Sequence, residues 1–218
     1  MSAHHPDEML LTEYSAGTLS EPMALCIRMH LDHCNHCRGQ LDMLNSLGAI
    51  MLDHSHHASK VSDDLFDNIL TRLDDREPKS ECASEQNSCV MQDRRFPLEK
   101  MLGTDLYSLP WKQQLADVSV CDLSNYFPGE ESVTLQKLAA GGRAPSHTHG
   151  GTETTLVLTG AFADSNGVFN AGDFVVLDDH HDHQPVALHG EDCITLSVLD
   201  APLKLTGRLT RLLNPFIR

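Results

Sequence analysis

The stretch His-Leu-Asp-His-Cys-Asn-His-Cys, residues 30–37, sets three histidines and two cysteines within eight positions. These are the ligand types of structural zinc, which takes four tetrahedral ligands from thiolate and imidazole. Cys34 and Cys37 form a Cys-x2-Cys pair that offers two thiolates on one turn, and His30 sits one helical turn before Cys34. His33 and His36 point away from that face at 3.6 residues per turn. Cys26 shares the face, but on a continuous helix it lies roughly 16 Å of rise from Cys37. A thiolate reaches a metal only about 2.3 Å beyond its sulfur. The fourth ligand must therefore come from elsewhere, and the His4–His5 pair can fold back to supply it. Cys-x2-Cys also serves redox chemistry, but there it follows a strand and opens a helix, whereas both flanks here read as helical.

A second constellation follows the pattern Gly141-x5-His147-x-His149-x3-Glu153-x6-Gly160. Alternate residues of a strand point the same way, so His147 and His149 can converge on one metal, and Glu153 can join from the next stretch. Histidines also cluster at 54–57 and 180–183. His54, His56, His57, His180 and His181 are expected as exposed polar residues.

The elements that must position these groups fall into two halves. Residues 1–75 read as helical. Met9, Leu10, Glu13 and Tyr14 lie at helical spacing, with Gly17 as the stop. Ser20, Glu21 and Pro22 open a second helix through "EPMALCIRMHLDH". A third covers "GQLDMLNSLGAIML", and a fourth begins at Ser62 with Leu65, Phe66, Ile69, Leu70 and Leu73 as its apolar stripe. Residues 76–95 are polar and aperiodic and read as a mobile linker. From 96 to 218 the chain is β-rich, with "SVTLQKLAA", "TETTLVLTGAFA", "DFVVLDD" and "DCITLSVLD" separated by turn residues. That pattern suits an all-β sandwich or small barrel. In the last segment, alternation puts Cys193, Thr195 and Ser197 on one face and Ile194, Leu196 and Val198 on the other. Cys193 is expected as a buried, inert thiol that can look into the barrel. Cys82 and Cys89 lie in the linker, with acidic neighbours that raise thiol pKa values.

Composition narrows the classes. The chain has 218 residues and a formal net charge of -15. A charge of that sign repels phosphate backbones, so no direct nucleic-acid partner is expected, and a basic protein partner is easier. No apolar run approaches a membrane span, and no export signal opens the chain. Seven cysteines without an export signal read as reduced cytoplasmic thiols, some of them metal ligands.

His30-x3-Cys34-x2-Cys37, with an upstream His before "LLTEYSAGTLSE", resembles the zinc-binding anti-sigma (ZAS) domain. The whole pattern is similar to a ChrR-type anti-sigma factor, a ZAS domain followed by a cupin. The resemblance implies an α+β chain of two domains: a small helical bundle with a zinc site at 1–75, and a jelly-roll cupin at 96–218. It implies Zn2+ on His5, His30, Cys34 and Cys37, His5 being favoured over His4 by its distance to Leu10–Leu11. His147, His149 and Glu153 match the first cupin motif. The second motif begins at Gly172 and its spacing selects His183, although Asp178, His180 and Ala187 replace the usual Pro, Gly and Asn. Three imidazoles and a carboxylate suit Zn, Fe, Mn or Ni, and the resemblance favours Zn2+. The partner implied is an extracytoplasmic-function sigma factor, released on an oxidative or photo-oxidative signal received through the cupin. Two other functions compete: a cupin metalloenzyme of oxygenase or isomerase type with an accessory zinc module, and a metal-trafficking protein. The anti-sigma reading expects two tightly held metals per chain and no enzymatic role.

Overall fold

In the computed structural model, which describes residues 2–55, 62, 64–74, 97–129 and 131–216, an extended tail leads into the first helix. Helix α1 (Glu8–Ala16) starts at Asp7, whose carboxylate accepts from the Leu10 N–H and satisfies one of the unpaired donors of the first turn. Gly17 ends it at φ 69°, as expected. Ser20 and Pro22 open α2 (Glu21–His33). The helix does not run on through the Cys-x2-Cys pair. Cys34 stands at φ −119°, ψ 106°, and is at once the C-cap of α2 and the N-cap of α3 (Asn35–Asp53). This corrects the continuous helix assumed for placing His30 over Cys34 and for excluding Cys26. The break turns Cys34 Sγ onto the first turn of α3, where it accepts from Cys37 N at 3.4 Å. Helix α4 is Leu65–Asp74. The expected linker 76–95, with Cys82 and Cys89, lies outside the described residues, as do His56 and His57.

The second half opens with α5 (Pro97–Leu102) and continues as β1 (Lys112–Leu115), β2 (Val118–Asp122), β3 (Ser132–Leu138), β4 (His147–His149), β5 (Glu153–Thr159), β6 (Ala161–Asp164), β7 (Gly167–Asn170), β8 (Phe174–Leu177), β9 (Val186–Ala187), β10 (Cys193–Leu199) and β11 (Leu203–Leu205). The described strands form a sheet in the order β1-β2-β3-β10-β5-β8, a smaller β7-β6-β9 sheet and a β11-β4 pair. Every pairing is antiparallel, and together they close a jelly-roll barrel. The four segments with a clear β pattern contain β3, β5 with β6, β8 and β10. The remaining strands span two to five residues, too few for a period of two to register.

All of β10 is buried, because both faces of the large sheet are covered. Cys193, Thr195 and Ser197 line the barrel cavity. Ile194, Leu196 and Val198 point the other way, into one hydrophobic cluster with Leu135, Leu156 and Phe174 and with Leu11, Ile27 and Met29 of the helices. The helical half and the barrel therefore share a core. Cys26 is wholly buried there, and burial pushes its thiol up to about 12.

The halves approach closely at Gly172, in the turn from β7 to β8. Its φ is 91°, and a Cβ there would lie 2.6 Å from the Cβ of His33. Gly172→Ala is expected to cost about 1–3 kcal/mol from the backbone conformation alone, with a further cost for moving α2 away. Urea unfolding checks this; a midpoint equal to that of the parent would contradict it.

Candidate metal centres

Two groups of ligand-type side chains gather in the described residues, each with its ligand atoms within 4.8 Å of one another. The first is His5, His30, Cys34 and Cys37. Each comes from a different local device. His5 hangs from the extended tail before α1, His30 from the last turn of α2, Cys34 from the break, and Cys37 from the first turn of α3. His5 Nδ1 lies 3.3 Å from Cys34 Sγ and 3.5 Å from Cys37 Sγ, and His30 Nε2 lies 3.3 Å from Cys37 Sγ. The N–S edge of a zinc tetrahedron, from bonds of about 2.0 and 2.3 Å, is about 3.5 Å, so the donor set fits that ion. His30, Cys34 and Cys37 are buried, while His5 is exposed. Burial holds the His30 imidazole below its ordinary pKa, against the opposing bond to Gly172, which keeps it neutral and ligand-ready. Burial and the neighbouring Cys34 push Cys37 up to about 12. A dication reverses that pressure by favouring the thiolate.

His4 turns elsewhere, its ring 4.5 Å from that of Phe169. His33 and His36 are exposed and outside the quartet. His36 is nonetheless a neighbour of the site, its ring 5.3 Å from that of His5.

The second group is His147, His149, Glu153 and His183, all buried in the barrel half. Strand β4 carries the first two, β5 begins with Glu153, and a bridge between His147 and His183 brings in the last. His147 Nε2 and His183 Nε2 are 3.0 Å apart. Their Nδ1 atoms are taken by the Pro145 carbonyl at 2.8 Å and by Asp164 Oδ2 at 2.7 Å, which aims both Nε2 atoms inward. His149 has two buried ring nitrogens without a hydrogen-bond partner, although Nδ1 lies 3.3 Å from Glu153 Oε2. Such orphaned atoms are costly unless an ion completes them. Burial, with His147 and His183 adding to it, depresses His149 to about 3, and burial raises Glu153. The fit to a divalent cation is good. His147, Glu153 and His183 themselves line a cavity of about 60 Å³, together with Gln136, Thr155, Phe162, Cys193 and Ser197 among others. That volume admits a few waters or a very small ligand. Burial pushes the Cys193 thiol up to about 12, so it is a poor nucleophile. His180 is exposed, whereas His181 is half-buried and bound to Asp178 at 2.7 Å.

Comparison with known proteins matches residues 99–201 to the ChrR cupin-like domain family. The anti-sigma-E factor ChrR of Cereibacter sphaeroides is 33% identical over 215 residues, which are 99% of this chain and 98% of that one. The chain belongs to the ChrR family of anti-sigma factors. A crystal structure of Rhodobacter sphaeroides SigE in complex with the anti-sigma ChrR superposes with a TM-score of 0.76 and 32% identity, over 92% of this chain and 100% of that chain. The likeness to ChrR thus spans both candidate metal centres and the helices between them. Among the described residues, no helix is long and apolar enough to cross a membrane.

Spacing alone misses three features of this ChrR relative. Asp164 and the Gly172 carbonyl, which orient His183 and His30, are distant in sequence from the rings they aim. On α3, Met43, Leu47, Ile50 and Met51 form an apolar stripe at i, i+4, i+7, i+8 within the helix read from "GQLDMLNSLGAIML", but the spacing does not say that the stripe stays exposed. Asp164→Asn is expected to weaken the barrel's hold on its metal about 10–100-fold while sparing the cysteine site. Chelator competition on the metal-loaded protein reads this, and an unchanged affinity would contradict the role of Asp164.

Proposed function

We propose that the chain is an anti-sigma factor whose helical half, stapled by Zn2+ on His5, His30, Cys34 and Cys37, binds an extracytoplasmic-function sigma factor and withholds it from RNA polymerase. The observation that carries this reading is the full-length likeness to a ChrR known in complex with a sigma factor. In this reading residues 1–75 and 96–218 are the two domains, with 76–95 as linker, acting in the cytoplasm. The barrel holds a second divalent metal, Zn2+, on His147, His149, Glu153 and His183, and receives an oxidative or photo-oxidative signal. Metal lends thiolate-based folding energy to the helical half. Three of the four ligand side chains are held ready: His30 neutral by burial, Cys34 aimed by the helix break, His5 carried by the tail.

Exposed apolar side chains mark the contact surface. Met43, Leu47, Ile50 and Met51 on α3 and Leu65, Phe66, Ile69 and Leu70 on α4 lie open to solvent, and stripes of this kind are partner surfaces. The net charge of -15 suits a basic partner. In this reading the barrel's role is sensory, as the full-length likeness to an anti-sigma factor supports. In vitro transcription with the cognate sigma factor tests the function. Equimolar chain should silence sigma-dependent initiation, and a metal chelator should restore it. Undiminished transcription with every candidate sigma factor would overturn the proposal.

A further inference from the structure

The tail that carries His5 does not hold itself in place. Asp173, wholly buried in the barrel, receives it. Asp173 Oδ1 accepts from Ser2 Oγ at 2.8 Å, Ala3 N at 2.8 Å and His4 N at 3.2 Å. Its Oδ2 accepts from Asn170 N at 2.8 Å, so both oxygens are used. Phe174 N then donates to the His4 carbonyl at 3.1 Å, and the His4 ring rests on Phe169. The next residue is His5. One position before Asp173, the Gly172 carbonyl accepts from His30 Nδ1 at 2.7 Å, leaving Nε2 to face the cysteines. Burial pushes the Asp173 carboxyl up, but the bonds from Asn170, Ser2, Ala3 and His4 outweigh it and hold the group below its ordinary pKa. It is a carboxylate at neutral pH.

We propose that the β7–β8 turn of the barrel is the outer support of the helical half's metal site, with Asp173 positioning His5 through the tail and Gly172 positioning His30, so that metal binding by the helices and their docking on the barrel are one linked equilibrium. The proposal rests on the reading of the quartet as a metal site. Partners of this kind fix ring orientation and are worth 10–100-fold in metal affinity. The turn also leads towards the other centre. Strand β8 runs from Phe174 to Leu177, and Leu177 pairs with Glu153 of the second quartet and lines the cavity. A second route goes from His4 to Phe169, which stacks on the cavity-lining Phe162 with ring centroids 4.9 Å apart. A shift in the barrel therefore has a physical path to two ligands of the helical site. By reciprocity, losing the helical metal loosens the tail on the barrel.

Cobalt substitution of the full chain separates the two centres, because only the helical quartet can give thiolate-to-cobalt charge-transfer absorption. Absence of that absorption in the parent protein would sink the metal reading itself. If it is present, chelator competition should show cobalt held about 10–100-fold less tightly in Asp173→Ala and in Ala3→Pro, with the barrel's cobalt unaffected. Ala3→Pro removes only one tail donor and leaves the barrel intact, so it keeps the test valid if Asp173→Ala folds poorly. Metal removal from the parent should also speed hydrogen exchange at the Phe174 amide. Parent-like affinity in Ala3→Pro together with an unchanged Phe174 amide would overturn the positioning role while leaving the metal site standing.

Discussion

Replacing Cys34 and Cys37 together by serine is expected to lower tightly held metal from two ions per chain to one and to weaken capture of the sigma factor more than about a thousandfold, since a structural zinc contributes about 10–16 kcal/mol of apparent binding energy to such a module. The reason lies in how little else anchors α3. Of its 19 residues the buried one is Cys37, with Leu41 and Leu44 only partly covered. In the proposed reading, a metal on the quartet fixes the start of this helix against α2 and the tail. Helix α2 is different: Ile27 and Met29 are packed into the cluster shared with the barrel, which should keep α2 docked, though less tightly, when the metal is lost. The barrel keeps its own quartet and its own interior cluster. The double variant should thus be a folded barrel with a loose α3, not an unfolded chain. Elemental analysis and calorimetric titration with the sigma factor measure both changes. Retention of two metals, or of parent affinity with one, would contradict the stapling role.

Charging the apolar face of α4 should separate binding from folding. Phe66 and Ile69 are 68% and 48% exposed, so Phe66→Asp with Ile69→Asp removes little burial. Thermal stability should stay within about 0.5 kcal/mol of the parent, as for ordinary surface changes. Affinity for the sigma factor should fall at least about a hundredfold, the scale of a lost apolar hot spot that now buries charge. Leu212, 70% exposed on the C-terminal 3-10 turn (Thr210–Phe216), provides the comparison: Leu212→Asp should leave the complex intact. Surface plasmon resonance on both variants decides it. Loss of binding in Leu212→Asp alone would move the contact surface to the barrel end.

Legibility in the sequence followed the range of each interaction. His147 and His149 could be paired because a strand repeats every two residues, and Cys34 and Cys37 because of their ligand spacing. Helical stops and starts at Gly17 and Ser20 were equally local. His5 needed a family likeness, since nothing in its neighbourhood points to a site 25 or more residues away (30 less 5). The break at Cys34 was hidden, because a cysteine carries no strong capping signal and both flanks favour helix. The shared core was hidden for a different reason. Ile194, Leu196 and Val198 read as the buried face of a strand, but no pattern says that helices from the other end of the chain cover them. Asp173 reads only as the first residue of the β-rich segment "DFVVLDD", and its three tail donors lie about 170 positions away.

The most direct measurement is gel filtration of the full chain co-expressed with extracytoplasmic-function sigma factors of the same cell, with metal content determined across the eluting peak. The account predicts that one sigma factor co-elutes with the chain at a one-to-one ratio, that two metals accompany each chain, and that the complex falls apart when the cysteine-bound metal is stripped. Elution of the chain alone beside every sigma factor, or a complex indifferent to the loss of that metal, would contradict it.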